Sequence, residues 1–208
     1  MEKLVVKTAV KTVLIILGIF VAVFAVFNFA FPQHMASVTE SMGNYDLAVK
    51  YASLRYYYTK NCDDLARCFD DSVLLGNDKY ILDYGENLLR HKDYPDLCRV
   101  KNEQQSGTGY DYDRWVKGKL VISYYNTDRK AKAIETAMEL DRGEDGVLAF
   151  EYGSSLMALA ARIKTGGDAE AAKAMLAALE EVTPADQTQA ENLAQVKIAM
   201  NAVISSGK

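Results

Sequence analysis

Two kinds of hydrophobic pattern divide the chain. From Thr12 to Phe31 the sequence TVLIILGIFVAVFAVFNFAF holds twenty residues without a charge. A helix of that length rises about 30 Å, the thickness of the hydrocarbon core of a bilayer. Beyond Phe31 the apolar residues recur at i, i+3, i+4 and i+7 without sustained alternation, which predicts amphipathic helices. The predicted fold class is therefore all-α, with a transmembrane helix over 12–31 followed by a helical domain over 32–208.

The domain beyond the predicted span is expected to consist of helical hairpins. In SSLMALAARIKT the apolar residues Leu156, Leu159 and Ile163 share one stripe, and the stripe resumes after Gly166 and Gly167. A glycine pair between two such stripes indicates antiparallel helices joined by a tight turn. Other hairpins are predicted around Gly43, around Gly76, and from 112–125 to 128–140, followed by a capping helix over 185–206. The polar interval near 93–111 is predicted to be an irregular connection.

Small residues stand where some of these helices would face each other. The segment that contains Ala160, Ala172 and Pro184 resembles a tetratricopeptide repeat, a helix-turn-helix unit of about 34 residues. In that family small residues let the two helices pack closely, and a proline closes the unit. The stretch GNYDLAVKYASL resembles the second half of the same unit, with Gly43 and Ala48 at its glycine and alanine places. The resemblance implies an α-solenoid, and a non-repeating helical bundle is the alternative.

The charges that flank the span predict its orientation. Three lysines lie in residues 1–11, whereas the first charged residues after the span are Glu40 and Asp46. Because the lysine-rich flank stays inside, residues 1–11 are expected to be a short cytoplasmic tail and residues 32–208 to be extracytoplasmic. The predicted location is the cell membrane, with a single pass. A cleaved secretory signal is the alternative, but no small-x-small cleavage site follows the apolar block.

Charge and composition narrow the function classes. The net charge is −4, and beyond Lys11 there are 27 acidic residues against 21 basic ones, which disfavours binding to nucleic acid. The chain has two histidines, His34 and His91, and lacks phosphate-binding, nucleophile-elbow and paired-histidine metal motifs. The sequence therefore predicts that the protein is not an enzyme and needs no cofactor.

Two sets of residues are candidates for contact with a partner protein. Tyr56, Tyr57 and Tyr58 are consecutive, so on a helix at least one ring faces solvent or a partner rather than the core. Packing within a repeat is the alternative for each tyrosine. In the tetratricopeptide family ligands lie along the concave face of the first helices. The resemblance implies that further candidates on this face are Asp63, Arg67, Asp70, Trp115, Lys119 and Met157.

Two acidic pairs, Asp63-Asp64 and Asp70-Asp71, are seven residues apart on one predicted helical face. Their carboxylates could share a cation, but a solvated face is the expectation, and no metal site is predicted. In the span, Gly18 and Ala22 form a small-xxx-small pair that would let another helix approach closely.

The three cysteines leave two possibilities open. Cys62 and Cys68 lie about 9 Å apart along one helix, which is beyond disulfide reach. Cys98 is a possible disulfide partner of Cys62 or Cys68, because an exported domain meets an oxidising environment. Three buried thiols that behave as small hydrophobes are the equal alternative.

Together these features predict a membrane-anchored scaffold or adaptor that binds other proteins or peptides on the extracytoplasmic side. The anchor would raise the effective concentration of the domain near membrane-associated partners. An alternative is an accessory subunit of a membrane complex that is held through its transmembrane helix. An anchored hydrolase that uses His91 with aspartates is a weaker alternative.

Overall fold

The helices that the periodicity predicts are present in the computed structural model, which describes residues 2–142, 147–148, 154–180 and 182–206. Over this part of the chain the protein is all-helical, with 81% helix and no strand. The helices are α1 (Glu2–Ala30), α2 (Pro32–Ser41), α3 (Tyr45–Thr59), α4 (Cys62–Leu75), α5 (Asp78–Leu89), α6 (Tyr94–Gln104), α7 (Tyr112–Asn126), α8 (Lys130–Asp141), α9 (Ser155–Gly166), α10 (Ala169–Ala178) and α11 (Gln187–Ser206).

The chain divides into two compact units, Met1–Leu75 with α1 to α4 and Gly76–Lys208 with α5 to α11. In the first unit α1 contains residues 12–30 of the predicted span. The helix already begins at Glu2, so residues 2–11 of the predicted tail form its first turns. The window Val10–Phe27 has a mean hydropathy of 2.7 and none of it is buried. This helix is apolar and long enough to cross a membrane.

The first unit is built around small residues. Helix α2 packs on α3, and α3 packs on α4. Ala36 on α2 and Ala48 and Ala52 on α3 are at most 1% exposed, so the helices approach each other closely. Gly43 turns the chain between α2 and α3 with φ +71°, and the Asn44 side chain caps α3 by accepting from the Leu47 N–H. The predicted hairpin around Gly43 is confirmed as a pair of packed helices.

The second unit contains two further predicted hairpins. Helices α7 and α8 pack together, as do α9 and α10, and α11 covers both α9 and α10. Ala160 and Ala172, the small residues of the last hairpin, are buried to 5% and 0% exposure. Gly167 ends α9 in the left-handed conformation, with φ +63°. The predicted capping helix over 185–206 corresponds to α11.

Two predictions about the middle of the chain are wrong. The interval near 93–111 contains α6, because Pro95 lies in the first turn, where proline is tolerated, and Tyr94 and Leu97 are buried on one side. The irregular part is limited to residues 105–111. The hairpin predicted around Gly76 is also not formed as one repeat: α4 packs on α3 in the first unit, and α5 packs on α7 in the second.

Candidate functional site

An open groove lies between α7 and α9 in the second unit. It has a volume of about 420 Å³, and Trp115 and Lys119 of α7 line it together with Ser155 and Ala158 of α9. Gly118 lies on the α7 side, so small residues on both helices leave space between the larger side chains. A cavity of this size lies within the range that accommodates a small ligand or a few side chains of a peptide.

The indole of Trp115 is held from one side by the core. Its ring is stacked on Tyr112, with centroids 5.6 Å apart and planes 21° apart. Tyr112 is 1% exposed, and its N–H donates to Asn102 Oδ1 over 2.8 Å. The ammonium of exposed Lys119 lies 5.8 Å from the Trp115 ring centroid, within reach of a cation–π interaction. The groove therefore offers an aromatic ring that is fixed in place next to a positive charge.

The start of α9 is fixed by the end of α8. Asp141, with its side chain fully buried, accepts from the N–H groups of Ser155 and Leu156 over 3.0 and 2.6 Å. The same carboxylate binds Arg114 Nη2 at 3.1 Å. The Ser154 hydroxyl caps the helix further by accepting from the Met157 N–H. These contacts set the distance between the two helices that form the groove.

The structure brings together some of the predicted groove residues of this unit. Trp115 and Lys119 line the groove, whereas Met157 is half-buried on α9 and is not among its lining residues. Tyr110 and Arg114 line the groove but were not predicted. Tyr110 lies in the segment that is predicted to be an irregular connection, whereas Arg114 lies in the predicted helix over 112–125, where no pattern marks it as a groove residue.

The other predicted residues belong to the first unit. Tyr57 and Tyr58 are 67% and 68% exposed, and Tyr56 is half-buried. Asp63 is exposed and Asp70 is half-buried on α4. The prediction that at least one ring of the tyrosine run faces outward is therefore confirmed, while the role of these residues in binding stays a prediction.

Arg67 is used inside the first unit. Its Nε lies 2.6 Å from Glu40 Oε1, and its Nη2 donates to Ser37 Oγ over 2.8 Å. Its side chain is 23% exposed. These contacts join α4 to α2, so the guanidinium stabilises the packing of the unit rather than pointing freely into a groove.

The expectation of a solvated acidic face is wrong for two of its four residues. Asp64 is 8% exposed, lies 2.7 Å from Arg55 Nε, and accepts from the Thr59 hydroxyl over 2.6 Å. Asp71 is 3% exposed and hydrogen-bonds to the Glu40 carboxyl. No local pattern indicates this burial, because the partners of Asp64 and Asp71 lie on other helices.

Burial and the neighbouring Glu40 raise the pKa of Asp71 from 3.8 to about 7. Arg67 opposes this rise in the pKa of Asp71, and the same guanidinium lies 2.6 Å from Glu40 Oε1. A hydrogen bond between two carboxyl groups needs a proton on one of them, and the raised pKa of Asp71 favours its protonated form.

A larger groove in the second unit is lined by charged residues of α5, α7, α8 and α10. Its volume is about 810 Å³. Arg129 Nη1 lies 3.1 Å from Glu86 Oε1, and Lys130 Nζ lies 3.2 Å from Glu170 Oε2. Since these cations already neutralise acids within the unit, they have less to gain from an external ligand than the residues around Trp115.

None of the three cysteines, all in described parts of the chain, forms a disulfide. The predicted pairing of Cys98 with Cys62 or Cys68 is therefore not present. Cys62 and Cys68 are buried among the core residues of α4, and burial raises the pKa of Cys68 to about 12. Cys98 is half-buried on α6 and hydrogen-bonds to the Tyr94 hydroxyl.

Among the described residues no group of three or more histidine, cysteine, aspartate and glutamate side chains is arranged to hold a metal ion.

The small pair of α1 is open to solvent. Gly18 and Ala22 are both exposed, and a Cβ added at Gly18 would meet no atom within 4 Å. This face of α1 has room for a neighbouring helix.

No protein-family model matches the chain, and neither a curated protein nor a solved structure matches it. Membership of the tetratricopeptide family therefore stays a prediction, whereas the helical hairpins themselves are present in the structure. What the protein does is inferred from its own geometry.

Proposed function

We propose that the chain is a single-pass membrane protein whose extracytoplasmic helical body binds a segment of another protein in the groove between α7 and α9. The anchor confines the body to a layer near the membrane, and the groove selects the partner. The protein acts as an adaptor without a cofactor.

The main support is the arrangement of Trp115 and Lys119. A rigid aromatic ring beside an ammonium group suits a peptide that presents an apolar side chain next to a carboxylate. Arg114 also lines the groove, but its guanidinium is paired with Asp141, so Lys119 supplies the positive charge for a ligand.

The apolar window of α1 supports the anchor. It is exposed along its whole length, whereas an apolar helix in the core of a soluble protein is mostly buried. The lysines of residues 1–11 favour a cytoplasmic N-terminus. Protease protection of the full chain in intact cells tests this orientation: the body should be cleaved from outside, and cleavage only after lysis would reverse it.

Photo-crosslinking in cells tests the binding groove. A benzoylphenylalanine in place of Tyr110, which lines the groove without supplying the ring or the charge of the proposed contact, should give a defined adduct with one partner, and the same probe in place of Lys173, exposed on α10, should not. Ala158→Leu should abolish the adduct because it fills the groove from the α9 side. Ala161→Leu is the matched control, since Ala161 is exposed on the same helix and does not line the groove. An adduct that survives Ala158→Leu would contradict the proposal.

A second candidate function is favoured by the open face of α1 at Gly18. In this alternative the protein is a subunit of a membrane complex, and α1 packs against a transmembrane helix of that complex. Replacing Gly18 and Ala22 by leucine separates the two functions. If the leucine variant of Gly18 and Ala22 abolishes assembly and leaves the groove adduct unchanged, the subunit function is favoured. If only Ala158→Leu has an effect, and that effect is loss of the adduct, the adaptor function is favoured.

A further inference from the structure

The end of α3 carries exposed tyrosines that the binding groove does not use. Tyr57 and Tyr58 are adjacent, with ring centroids 5.4 Å apart and planes at 81°. The Lys60 ammonium lies 4.8 Å from the Tyr57 ring centroid. We refer to Tyr57, Tyr58 and Lys60 as the tyrosine edge.

The tyrosine edge lies at the same end of the first unit as the end of α1. A single residue, Phe31, separates α1 from α2. Helices α2 and α3 are joined by a short turn and pack as a hairpin, so α3 ends beside the start of α2. The Arg55 guanidinium confirms this alignment, because it hydrogen-bonds to the Gln33 side chain in the first turn of α2.

Helix α4 begins at the same level. The Arg67 guanidinium reaches the main-chain oxygen of Gln33 as well as Ser37 Oγ, at 3.5 and 2.8 Å. Residues 57–63, which cover the end of α3 and the start of α4, therefore lie near the first turn of α2 and hence near the end of α1.

The dimensions place this edge within a lipid headgroup layer. Gln33 follows Phe31 by two residues, or about 3 Å of helix rise. Each headgroup layer is about 5–8 Å thick, the difference between the full bilayer and its hydrocarbon core. When α1 crosses the bilayer, the end of α3 falls inside that layer and little space remains there for a folded partner protein.

The chemistry of the edge fits the same layer. Tyrosine is enriched at membrane interfaces because its ring is apolar and its hydroxyl is polar. Phe31, at the junction, is 47% exposed, and its ring contacts Phe27 with centroids 5.1 Å apart. Lys60 gives the edge one positive charge, but exposed Asp63 follows three residues later and Arg55 is paired with Asp64, so residues 55–64 carry no net positive charge. Aromatic insertion, rather than attraction to anionic lipid, is the matching interaction.

We propose that the tyrosine edge rests among the headgroups of the bilayer that α1 spans and so fixes the orientation of the first unit on the membrane. This rests on the anchoring part of the proposed function and is independent of the groove between α7 and α9. The tyrosine edge contacts the surface of a zwitterionic phospholipid bilayer.

Depth-dependent fluorescence quenching tests the proposal in the full chain reconstituted into phosphatidylcholine vesicles. The chain has one tryptophan, so Trp115→Phe combined with Tyr58→Trp places the only indole at the edge. That indole should lose most of its fluorescence to a headgroup spin label and less to a label deep in the acyl chains. The matched control combines Trp115→Phe with Tyr45→Trp at the opposite end of α3 and should be quenched by neither.

The outcomes separate the two proposals. A chain that floats with the vesicles while the indole at position 58 stays unquenched overturns the tyrosine edge and leaves the anchor intact. A chain that does not float refutes the anchor. Quenching that disappears at high salt overturns aromatic insertion in favour of charge attraction.

A measurement on the unmodified chain guards against misfolding of the tryptophan variants. Phosphatidylcholine with a photoreactive group near its headgroup should label the peptide that contains residues 56–60. The peptide that contains the start of α3 should stay unlabelled. The reverse labelling pattern would overturn the proposal.

Discussion

Arg114 and Asp141 are 27 residues apart, yet the guanidinium of one lies 3.1 Å from the carboxylate of the other. Asp141 also accepts from two N–H groups at the start of α9. One buried carboxylate therefore joins α7, α8 and α9, the helices around the candidate groove.

Asp141→Ala should destabilise the protein strongly. It leaves the N–H groups of Ser155 and Leu156 buried without an acceptor, which costs about 2–4 kcal/mol in the free energy of unfolding. Urea unfolding of the full chain in detergent, followed by circular dichroism, measures this. Glu139→Ala, at an exposed position on the same helix, is the control and should change the free energy by less than about 0.5 kcal/mol. Equal effects of the two variants would show that the carboxylate contributes no special stability.

Gly167→Ala should cost about 1 kcal/mol in unfolding free energy, because φ at this position is +63° and a Cβ is strained there. The neighbouring Gly166→Ala is the matched control. Its Cβ would meet the Tyr125 hydroxyl at 3.1 Å, but that hydroxyl is at the end of a side chain that can move aside. Thermal or urea unfolding of both variants distinguishes them, and a larger loss at Gly166 would contradict the assignment of Gly167 as the residue that ends α9.

The Glu40–Asp71 pair predicts a dependence of stability on pH. The folded-state pKa of Asp71, about 7, lies above its ordinary value of 3.8, so the folded state holds a proton that the unfolded state has lost. The contribution to stability is therefore complete below about pH 4, falls as the pH rises, and is lost above about pH 7. At about 1.4 kcal/mol per pH unit, the upper limit of this change is about 4 kcal/mol.

Asp71→Asn removes this titration while keeping the shape of the side chain. As the pH rises from 4 to 7, the unfolding free energy of the wild type should fall relative to that of Asp71→Asn. Asp63→Asn, exposed on the same helix, should give no such trend. A difference that is flat with pH would rule out the shared proton.

The thiols should differ in reactivity. Cys98 is half-buried, whereas Cys68 is fully buried and its pKa is raised to about 12, so little thiolate is present at neutral pH. In the folded chain Cys98 should react with iodoacetamide at least about ten times faster than Cys68. Peptide mass spectrometry of a time course measures this, with Cys98→Ser as the control that removes the fast site. After unfolding without reductant, reaction of only one thiol would show that a disulfide forms after all.

The sequence predicts the elements with strong periodicity and punctuation. The hairpin of α9 and α10 has one continuous apolar stripe on each side of a glycine pair, and both helices lie where the pattern places them. Helix α6 was missed because only Tyr94 and Leu97 are buried in it, too few to produce a visible stripe.

Tertiary contacts explain what the sequence did not reveal about the candidate sites. Asp64 and Asp71 have the composition of a solvated face, and their burial depends on Arg55 and Glu40, which lie on other helices. The tetratricopeptide resemblance predicts Trp115 and Lys119 as groove residues, whereas Arg114 is held in position by Asp141. Partners of this kind are set by helix packing and leave no local pattern.

Helix α11 buries Val196 and Met200 against its neighbours, while Gln195 and Asn201 are exposed on the other side together with Ala194, Ala202 and Ile198. An inner helix of a solenoid presents a broad apolar surface to the next repeat, whereas the outer side of α11 mixes amide groups with one large apolar residue, Ile198. Water can therefore solvate this side of the helix without a further repeat packed against it.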